Sequence, residues 1–373
     1  MRLVIDCFKL VKGTGKSIGI YNVAVSLISN LVQEKKRTSD QRIKNTEIIV
    51  LGNDLNSSDF ALDGVEFVSI TNYSPMNKAH VVLWELFHVS KVCKELKADR
   101  VLFPRGYCAL THPVFDIVLI HDLIPFYYHE NYPGVFNRLE NAYIMNRLKA
   151  SAKGSKKIIT ISEASKKDIL KYCKVDAEKI TIIHNACNAI DFSAEKENQQ
   201  KPYICAMTSA LPHKNAKGVL ESYKAYCDIA EKPLDLVVIG LQDTSIIDLP
   251  QTVKERITCH KFIKSNDDMY RIINNSDVFL FLSLVEGFGL PPIEAMMLKV
   301  PVICSNVSSI PEAVGDAAVL IDPRNSGEVA EALNNLLNNP KEKDILVEKG
   351  LKNVERFSWE SRSKLYWDAI LGE

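Results

Sequence analysis

The sequence predicts an α/β protein of two doubly wound, parallel-sheet domains in tandem, on three observations. Short β-rich runs alternate with stretches at helical spacing along nearly the whole chain, the order in which a helix carries each strand to a parallel neighbour. The strand candidates are continuous apolar runs, as LVIDCF and EIIVLG show, and such runs suit strands covered on both faces. Finally, 373 residues exceed one ordinary core and accommodate two domains of roughly 180 residues each.

In chain order, the first series reads LVIDCF, a helix over Ile20–Gln33, EIIVLG, VEFVSI, RVLFP, DIVLIHDLIP, KKIITIS, a helix over Glu163–Cys173, and KITIIHNA. Glu195–Lys201, EKENQQK, is polar and aperiodic and reads as the interdomain linker. The second series reads YICAMTS, a helix over Ala216–Ala230, LDLVVIG, ITCHKFI, a helix over Asp267–Asn275, VFLFLSL, a helix over Pro292–Lys299, PVICSN, AAVLID and a helix over Ser326–Asn338. Trp359–Leu371 is an amphipathic stretch after the second sheet is complete, placed to cross back onto the first domain. The expected division is residues 1–195, joined by the C-terminal helix within 359–373, and residues 196–358.

A composition of 46% hydrophobic and 25% charged residues excludes disordered, collagen-like and disulfide-scaffold classes. The longest largely apolar run, Val278–Val285, falls short of the roughly 18 residues that span a bilayer. The opening MRLVIDCFKL has Asp6 inside its apolar stretch and no small-residue cleavage site, so it reads as a first strand rather than a signal peptide. Nine scattered cysteines without a C-x-x-C pair argue against a disulfide framework or a zinc site and for a reducing cytoplasm. The net charge of zero hides an asymmetry: residues 1–195 hold 26 Lys+Arg against 21 Asp+Glu, and the remainder 20 against 25. Within Lys149–Lys171 seven lysines stand against Glu163 and Asp168. Two readings of that cluster stay open, a contact with anionic lipid or substrate and a plain solvated face. It has no interleaved aromatics, which argues against a nucleic-acid partner.

Ligands of open α/β sheets sit beyond the carboxyl ends of the strands, so the loops there hold the candidate chemistry. The first, KGTGKSIGIYN, contains Gly15-Lys16-Ser17, but a phosphate-cradling loop needs a glycine where Leu10 stands. What remains is a turn with Gly13, Gly15 and Gly19 leading into a helix, where backbone N–H groups can approach a phosphate or sugar; a plain tight turn is the equal alternative. The second, LIHDLIP, delivers His121 and Asp122 to a strand end, either as a core histidine or as a site residue. The third, TSALPHKNAK, puts Lys214 near a helix N-terminus, where ammonium and dipole together suit a diphosphate; a surface lysine is the alternative. In the fourth, VEGFGLPPIEAMM, Gly287 and Gly289 let the backbone pass close to a ligand and Pro291-Pro292 preset the first helical turn. Glu286 in the loop and Glu294 in the expected first turn of the helix stand eight residues apart. A carboxylate accepts both hydroxyls of a vicinal diol, so Glu294 suits a ribose.

At these residues the sequence resembles the retaining glycosyltransferases of family 4, whose GT-B fold faces two Rossmann-like domains across a cleft. The E-x7-E hallmark matches Glu286 to Glu294 within EGFGLPPIEAM, and PVICSNVSSIPEAVGDAAVLIDP is similar to the family along its length. IHDLIP, ITISEASKKDILKYCKVDAEKITIIHNACN, the P-x-K-N turn at Pro212–Asn215 and FSWESRS match in order, so the resemblance covers nearly the whole chain. It implies that Lys214 holds the donor diphosphate, Glu294 the ribose hydroxyls and Glu286 the sugar hydroxyls, with backbone amides from Gly287, Phe288, Gly289 and Leu290. His121 matches a histidine beside the transferred sugar, and the loop near Gly15 and Gly19 faces phosphate or acceptor. Two departures stand out: His213 replaces an arginine frequent before the lysine, and Ser17 and Ile20 replace a glycine and the arginine of the first loop's G-G-x-G-R-Y.

The function implied is retaining transfer of a hexose, without a metal, from a nucleotide-diphosphate sugar (GDP-mannose or a UDP-sugar) to a glycan or lipid-diphosphate-linked acceptor in surface polysaccharide synthesis. The catalytic set is His121, Glu286 and Lys214; the donor set adds Gly15, Gly19, His213, the Gly287–Leu290 amides and Glu294. No cofactor is implied, since the nucleotide sugar is a substrate, and the expected location is cytoplasmic, peripheral to the inner face of the membrane if the lysine cluster contacts it. Basic groups and helix N-termini neutralise the leaving diphosphate, and a donor phosphate oxygen takes the acceptor's proton; Glu286 as a covalent nucleophile is the alternative. A dinucleotide-dependent oxidoreductase is disfavoured because no G-x-G-x-x-G with a later acidic residue follows a first strand. A non-catalytic nucleotide-sugar-binding subunit is the remaining rival.

Overall fold

The structure, a computed structural model, describes residues 1–13, 18–112, 114–188, 190 and 201–372. The chain divides into two compact units, Met1–Ala186 with Trp359–Glu373, and Cys187–Ser358. The boundary falls earlier than Glu195 because the Cys187 N–H donates to the Phe357 carbonyl at 2.9 Å and Cys187 bridges to Ser358, which ties that segment to the second unit. The expected linker, apart from Lys201, lies outside the described residues.

The first unit holds a seven-stranded sheet in the order β3-β2-β1-β4-β5-β6-β7. Its strands are β1 (Arg2–Asp6), β2 (Glu47–Gly52), β3 (Glu66–Ser69), β4 (Arg100–Phe103), β5 (Phe115–Ile120), β6 (Lys157–Thr160) and β7 (Ile180–Ile182). The second holds six, in the order β10-β9-β8-β11-β12-β13: β8 (Tyr203–Met207), β9 (Asp235–Ile239), β10 (Ile257–His260), β11 (Val278–Phe281), β12 (Val302–Ser305) and β13 (Val319–Ile321). All pairs are parallel, with Leu3 opposite Arg100 in the first sheet and Val278 opposite Ile204 in the second. In each sheet the chain winds outward from a central strand and then returns to its other side, so β1/β4 and β8/β11 are the two switch points where loops part and leave a crevice.

Side-chain alternation shows why both faces are covered. In the second unit Ile204, Ala206, Val278 and Leu280 enter one core cluster, while Cys205, Phe279 and Phe281 enter the other. A strand apolar on both faces needs helices on both.

The first helix runs Ile18–Arg37, longer at both ends than its apolar stripe. The run read as a strand through Pro125 ends at Ile120, and a helix occupies Ile124–Asn131, with Pro125 in its first turn and Asp122 Oδ1 accepting the Ile124 N–H at 3.0 Å. Proline presets that turn without forfeiting a needed donor. Helices over Arg138–Gly154 and Pro340–Val354 mix polar residues into their buried faces, which blurs the helical spacing: the first buries Asn141, Arg147 and Ser151 beside Leu148 and Ala152, and the second buries Leu346, Gly350 and Asn353. A Cβ on Gly350 would stand 3.1 Å from Met296 Cγ, so the two helices approach closely at that glycine. Among the described residues no helix is long and apolar enough to cross a membrane.

The C-terminal helix, Trp359–Leu371, packs on Ile18–Arg37 in the first unit. Trp367 and Ile370 are fully buried, and the Trp367 indole N–H donates to the Leu31 carbonyl at 3.2 Å. Arg100 Nε and Lys157 Nζ donate to the carbonyls of Ile370 and Ala369 at 3.3 and 3.2 Å, so polar groups at the strand starts hold the helix end. Trp367→Ala is expected to cost about 3–5 kcal/mol, the range for emptying a buried aromatic site. The urea midpoint of the first unit's unfolding reads this; a loss under about 1 kcal/mol would contradict the packing described.

Candidate active site

The second switch point gathers the charged residues. After β8 the chain enters the single turn Pro212–Lys214, and Asn215 follows in the left-handed conformation at φ 57°, which asparagine tolerates better than most residues. Its side chain does two jobs. Oδ1 caps the helix Ala216–Ile229 by accepting the Gly218 N–H at 3.2 Å, and Nδ2 donates to the carbonyls of Leu282 and Pro323 at 3.0 and 2.9 Å. The Leu284 N–H donates to the His213 carbonyl at 2.7 Å and Thr208 Oγ1 to the Lys214 carbonyl at 2.6 Å. Lys214 is thereby aimed at the loop after β11, where its Nζ meets Glu286 Oε1 at 2.6 Å with both side chains largely buried.

That loop is itself braced. Ser308 Oγ accepts the Glu286 N–H at 3.2 Å, and the hydroxyls of Ser308 and Ser309 each donate to the Glu286 carbonyl at 2.9 Å. Ser309 also reaches the Phe288 carbonyl at 2.9 Å. The Phe288 side chain is core, edge-on to Phe357 at 5.3 Å, so only its backbone is available to a ligand. Gly289, at φ 106°, precedes the helix Leu290–Met297; that conformation demands glycine. Pro291 and Pro292 lack N–H groups, so the donors of this helix N-terminus come from Gly289 and Leu290.

Glu294 is the fifth residue of this helix, two residues deeper than the sequence suggested, because the helix starts at Leu290 rather than Pro292. It is therefore too far in to serve as a simple complement to the dipole. Burial pushes its carboxyl up to about 7. Cys187 and Tyr270 lie within electrostatic reach, each itself pushed up to about 12, mainly by burial. Among the described residues no hydrogen bond or ion pair reaches the Glu294 carboxyl.

His213 is buried and held down to about 4, first by burial and then by the Lys214 ammonium. It is neutral at pH 7 and adds no charge where the family more often has an arginine. His121 stands at the end of β5 in the first unit, buried, with Nε2 2.8 Å from the Pro104 carbonyl and its titration pushed down to about 4 by burial. A neutral ring facing a carbonyl carries its proton on Nε2, which leaves Nδ1 as an acceptor. Gly19 is exposed within the first turn of Ile18–Arg37, with open space where a Cβ would go; it is helical, and no backbone strain requires glycine there. Gly15 lies outside the described residues, as do Lys16 and Ser17.

The sequence thus pointed to Lys214, Glu286 and Glu294 but not to the parts that hold them. The Ser308–Ser309 pair had only the dipeptide SS after a strand as a signal. Gly240, whose Cβ would stand 1.9 Å from the Thr208 carbonyl, had only its place at a strand end. Among the described residues, Cys108, His112 and Asp116 are the group with metal-ligand types close together, their ligand atoms within 4.8 Å. His112 Nδ1 already contacts Asp116, its Nε2 packs on Gly154, and burial pushes the Cys108 thiol up to about 11, so the thiolate that binds metal is disfavoured.

Comparison with known proteins is consistent across both units. Residues 188–353 match the glycosyl transferases group 1 and residues 43–189 match glycosyltransferase family 4. The O-antigen chain mannosyltransferase RfbU of Salmonella typhimurium is 28% identical over 280 residues, 72% of this chain and 74% of that protein. The serotype-specific mannosyltransferase WbdA of Escherichia coli is 24% identical over 316 residues, 80% of this chain but 37% of that longer protein. Among solved structures, WaaG, a glycosyltransferase involved in lipopolysaccharide biosynthesis, superposes with a TM-score of 0.69 at 14% identity over 100% of both chains. Anabaena HepE, solved with UDP and glucose, gives 0.70 at 15% identity, again over 100% of both. The first of the two Rossmann-like units thus matches glycosyltransferase family 4 and the second the glycosyl transferases group 1, and the chain is a glycosyltransferase of the family 4 type with a GT-B fold.

Proposed function

We propose that the protein is a retaining, metal-independent hexosyltransferase of surface polysaccharide synthesis, moving a mannose from GDP-mannose, or a hexose from a UDP-sugar, to a glycan or lipid-diphosphate-linked acceptor. The observation that carries this reading is the Lys214–Glu286 pair at 2.6 Å, set on a braced glycine turn with Glu294 one helical turn beyond. The ammonium has three donors, so it can keep one on Glu286 and turn the others to a diphosphate. The Gly289 and Leu290 amides supply the remaining neutralisation of the leaving group. Glu294 grips the ribose hydroxyls, Glu286 the transferred sugar, and His121, a neutral ring with its proton on the Pro104 carbonyl, accepts from a sugar hydroxyl at Nδ1. A donor phosphate oxygen receives the acceptor's proton on the face the diphosphate leaves, which retains the anomeric configuration. The names of RfbU and WbdA favour mannose; HepE's bound UDP keeps a uridine donor in view.

The deciding experiment incubates the chain, with EDTA and in parallel with Mg²⁺ or Mn²⁺, with GDP-mannose and a series of UDP-sugars in the presence of polysaccharide acceptors, and reads the product anomer by NMR. Transfer with retention is the expected result; a strict Mg²⁺ or Mn²⁺ requirement refutes metal independence, and nucleotide binding without any turnover favours the non-catalytic subunit. Glu294→Ala is expected to weaken nucleotide binding and Glu286→Gln to lower kcat, each by about 1.5–3 kcal/mol, or roughly ten- to a hundredfold, for a lost charged hydrogen bond. Equal, small effects from both contradict the assignment.

Acidity gives a third check. A diol binds the ionised carboxylate, and Glu294 in the free protein titrates near 7. Binding therefore releases a proton below that pH, and nucleotide affinity is expected to fall by up to about tenfold per unit as pH drops from 7 towards 5. Isothermal titration in buffers of differing ionisation heat measures this; a flat profile in the wild type removes Glu294 from the contact.

A membrane contact of the lysine cluster can use only its exposed members. Lys153 and Lys156 are exposed, but Lys157 is half-buried and donates to the Ala369 carbonyl, so it serves the fold. Salt-sensitive sedimentation with anionic vesicles is expected to weaken in Lys153→Gln/Lys156→Gln/Lys167→Gln, at about 1 kcal/mol per lysine near the surface; unchanged sedimentation assigns the cluster to solvent.

A further inference from the structure

The first sheet has its own switch point, between β1 and β4, and the donor chemistry leaves the residues there without a role. Asp6 ends β1, Arg105 follows β4, and a helical stretch from Lys78 to Glu95 crosses beside them. That stretch contains a π-helical turn at Trp84–His88. Such turns insert an extra residue into a helix and often mark functional sites; here the turn delivers Trp84 and Glu85. The Trp84 indole N–H donates to Asp6 Oδ1 at 3.1 Å, and the Phe8 N–H donates to the same oxygen at 3.2 Å. Among the described residues, no hydrogen bond reaches Asp6 Oδ2. Glu85, buried, pairs with Arg105 at 2.5 Å, and the Arg105 guanidinium lies over the Tyr107 ring at 5.2 Å. Lys9 donates to the Pro75 carbonyl and keeps two further N–H donors.

These six side chains line one small cavity. Its free volume for the centre of a water-sized sphere is about 10 Å³, room for one hydroxyl or one water and too little for a phosphate. Charge agrees with size. Asp6 and Glu85 offset Lys9 and Arg105, and Asp6, although burial pushes it up to about 6, is ionised at pH 7, so a second anion would meet an unneutralised carboxylate oxygen. An unpaired carboxylate oxygen that remains accessible, beside spare ammonium and guanidinium donors and with a tyrosine face at the side, is the complement of a hydroxyl on a neutral sugar ring.

We propose that this cavity seats one hydroxyl of a neutral sugar, donating to Asp6 Oδ2 and accepting from Lys9 or Arg105, and that it reads the acceptor's sugar rather than a phosphate. The assignment to the acceptor rests on the glycosyl-transfer reading; the binding chemistry does not.

The test titrates the whole chain with methyl glycosides of mannose, glucose, galactose and rhamnose, their monodeoxy analogues, and inorganic pyrophosphate, followed by saturation-transfer NMR and calorimetry. Asp6→Asn keeps the acceptor oxygen that Trp84 and Phe8 use, so the fold should persist. At least one glycoside should bind the wild type and bind Asp6→Asn at least tenfold more weakly. One deoxy analogue should bind both proteins equally, because the lost hydroxyl is the one Asp6 holds. Should Asp6→Asn fail to fold, Lys9→Met on the cavity wall decides the question through an at least threefold loss. The proposal is overturned if no glycoside binds the wild type, if the folded variants bind as it does, or if pyrophosphate rather than a glycoside depends on Asp6 or Lys9. The titrations need no turnover, so absence of turnover with every nucleotide sugar would refute the transferase reading and leave the cavity's result standing on its own.

Discussion

One carboxamide, that of Asn215, fixes where the charged groups of the second unit stand. Its two N–H bonds tie the loop after β8 to the ends of the chain after β11 and β13, and its oxygen starts the next helix. These are three separate segments, held by one side chain in a conformation that few residues accept. Replace it and Lys214 loses the frame that aims it at Glu286, although neither charge is touched. The chemistry of this unit therefore depends on a residue that carries none, in keeping with the way supporting hydrogen bonds rather than charges set the precision of a site.

Burial decides which of the candidate groups carry charge. Two histidines that composition would allow as cations, His121 and His213, are both buried and neutral at pH 7. Lys214 is left as the cation of its loop pair, and it already faces a carboxylate. Where the family more often has an arginine, the neutral His213 leaves a smaller positive field around Lys214. The amides of a proline-led helix, fewer than usual, add to that field with the dipole.

The second unit was largely legible in the sequence and the first only in outline. Strands showed themselves throughout because each is a continuous apolar run, and all the strands read from the sequence are present apart from the tail of DIVLIHDLIP. The helix N-terminus after Gly289 was legible to within two residues because glycine and proline each leave a mark on the backbone that other residues do not. By contrast, the π-helical turn at Trp84–His88 has no periodicity to reveal it, since an inserted residue breaks the spacing that a helix is recognised by. Asp6 was visible only as a charge interrupting a strand, and its meeting with Arg105 depends on strands paired across nearly a hundred residues of sequence. Long-range pairs of single residues leave no local pattern, whereas a loop motif does.

The return of the C-terminal helix to the first unit has a consequence for how the protein is made. The site that receives Trp367 lies on the helix Ile18–Arg37, which emerges from the ribosome early, but the segment that fills it follows the whole of Cys187–Ser358. At about 5–20 residues per second the nascent first unit waits on the order of ten to thirty seconds with that apolar surface open. The second unit has all of its own sequence by then and can fold while the first is still incomplete. During synthesis, then, the unit that begins the chain is the last to close, and its exposed groove is a surface for chaperones to guard.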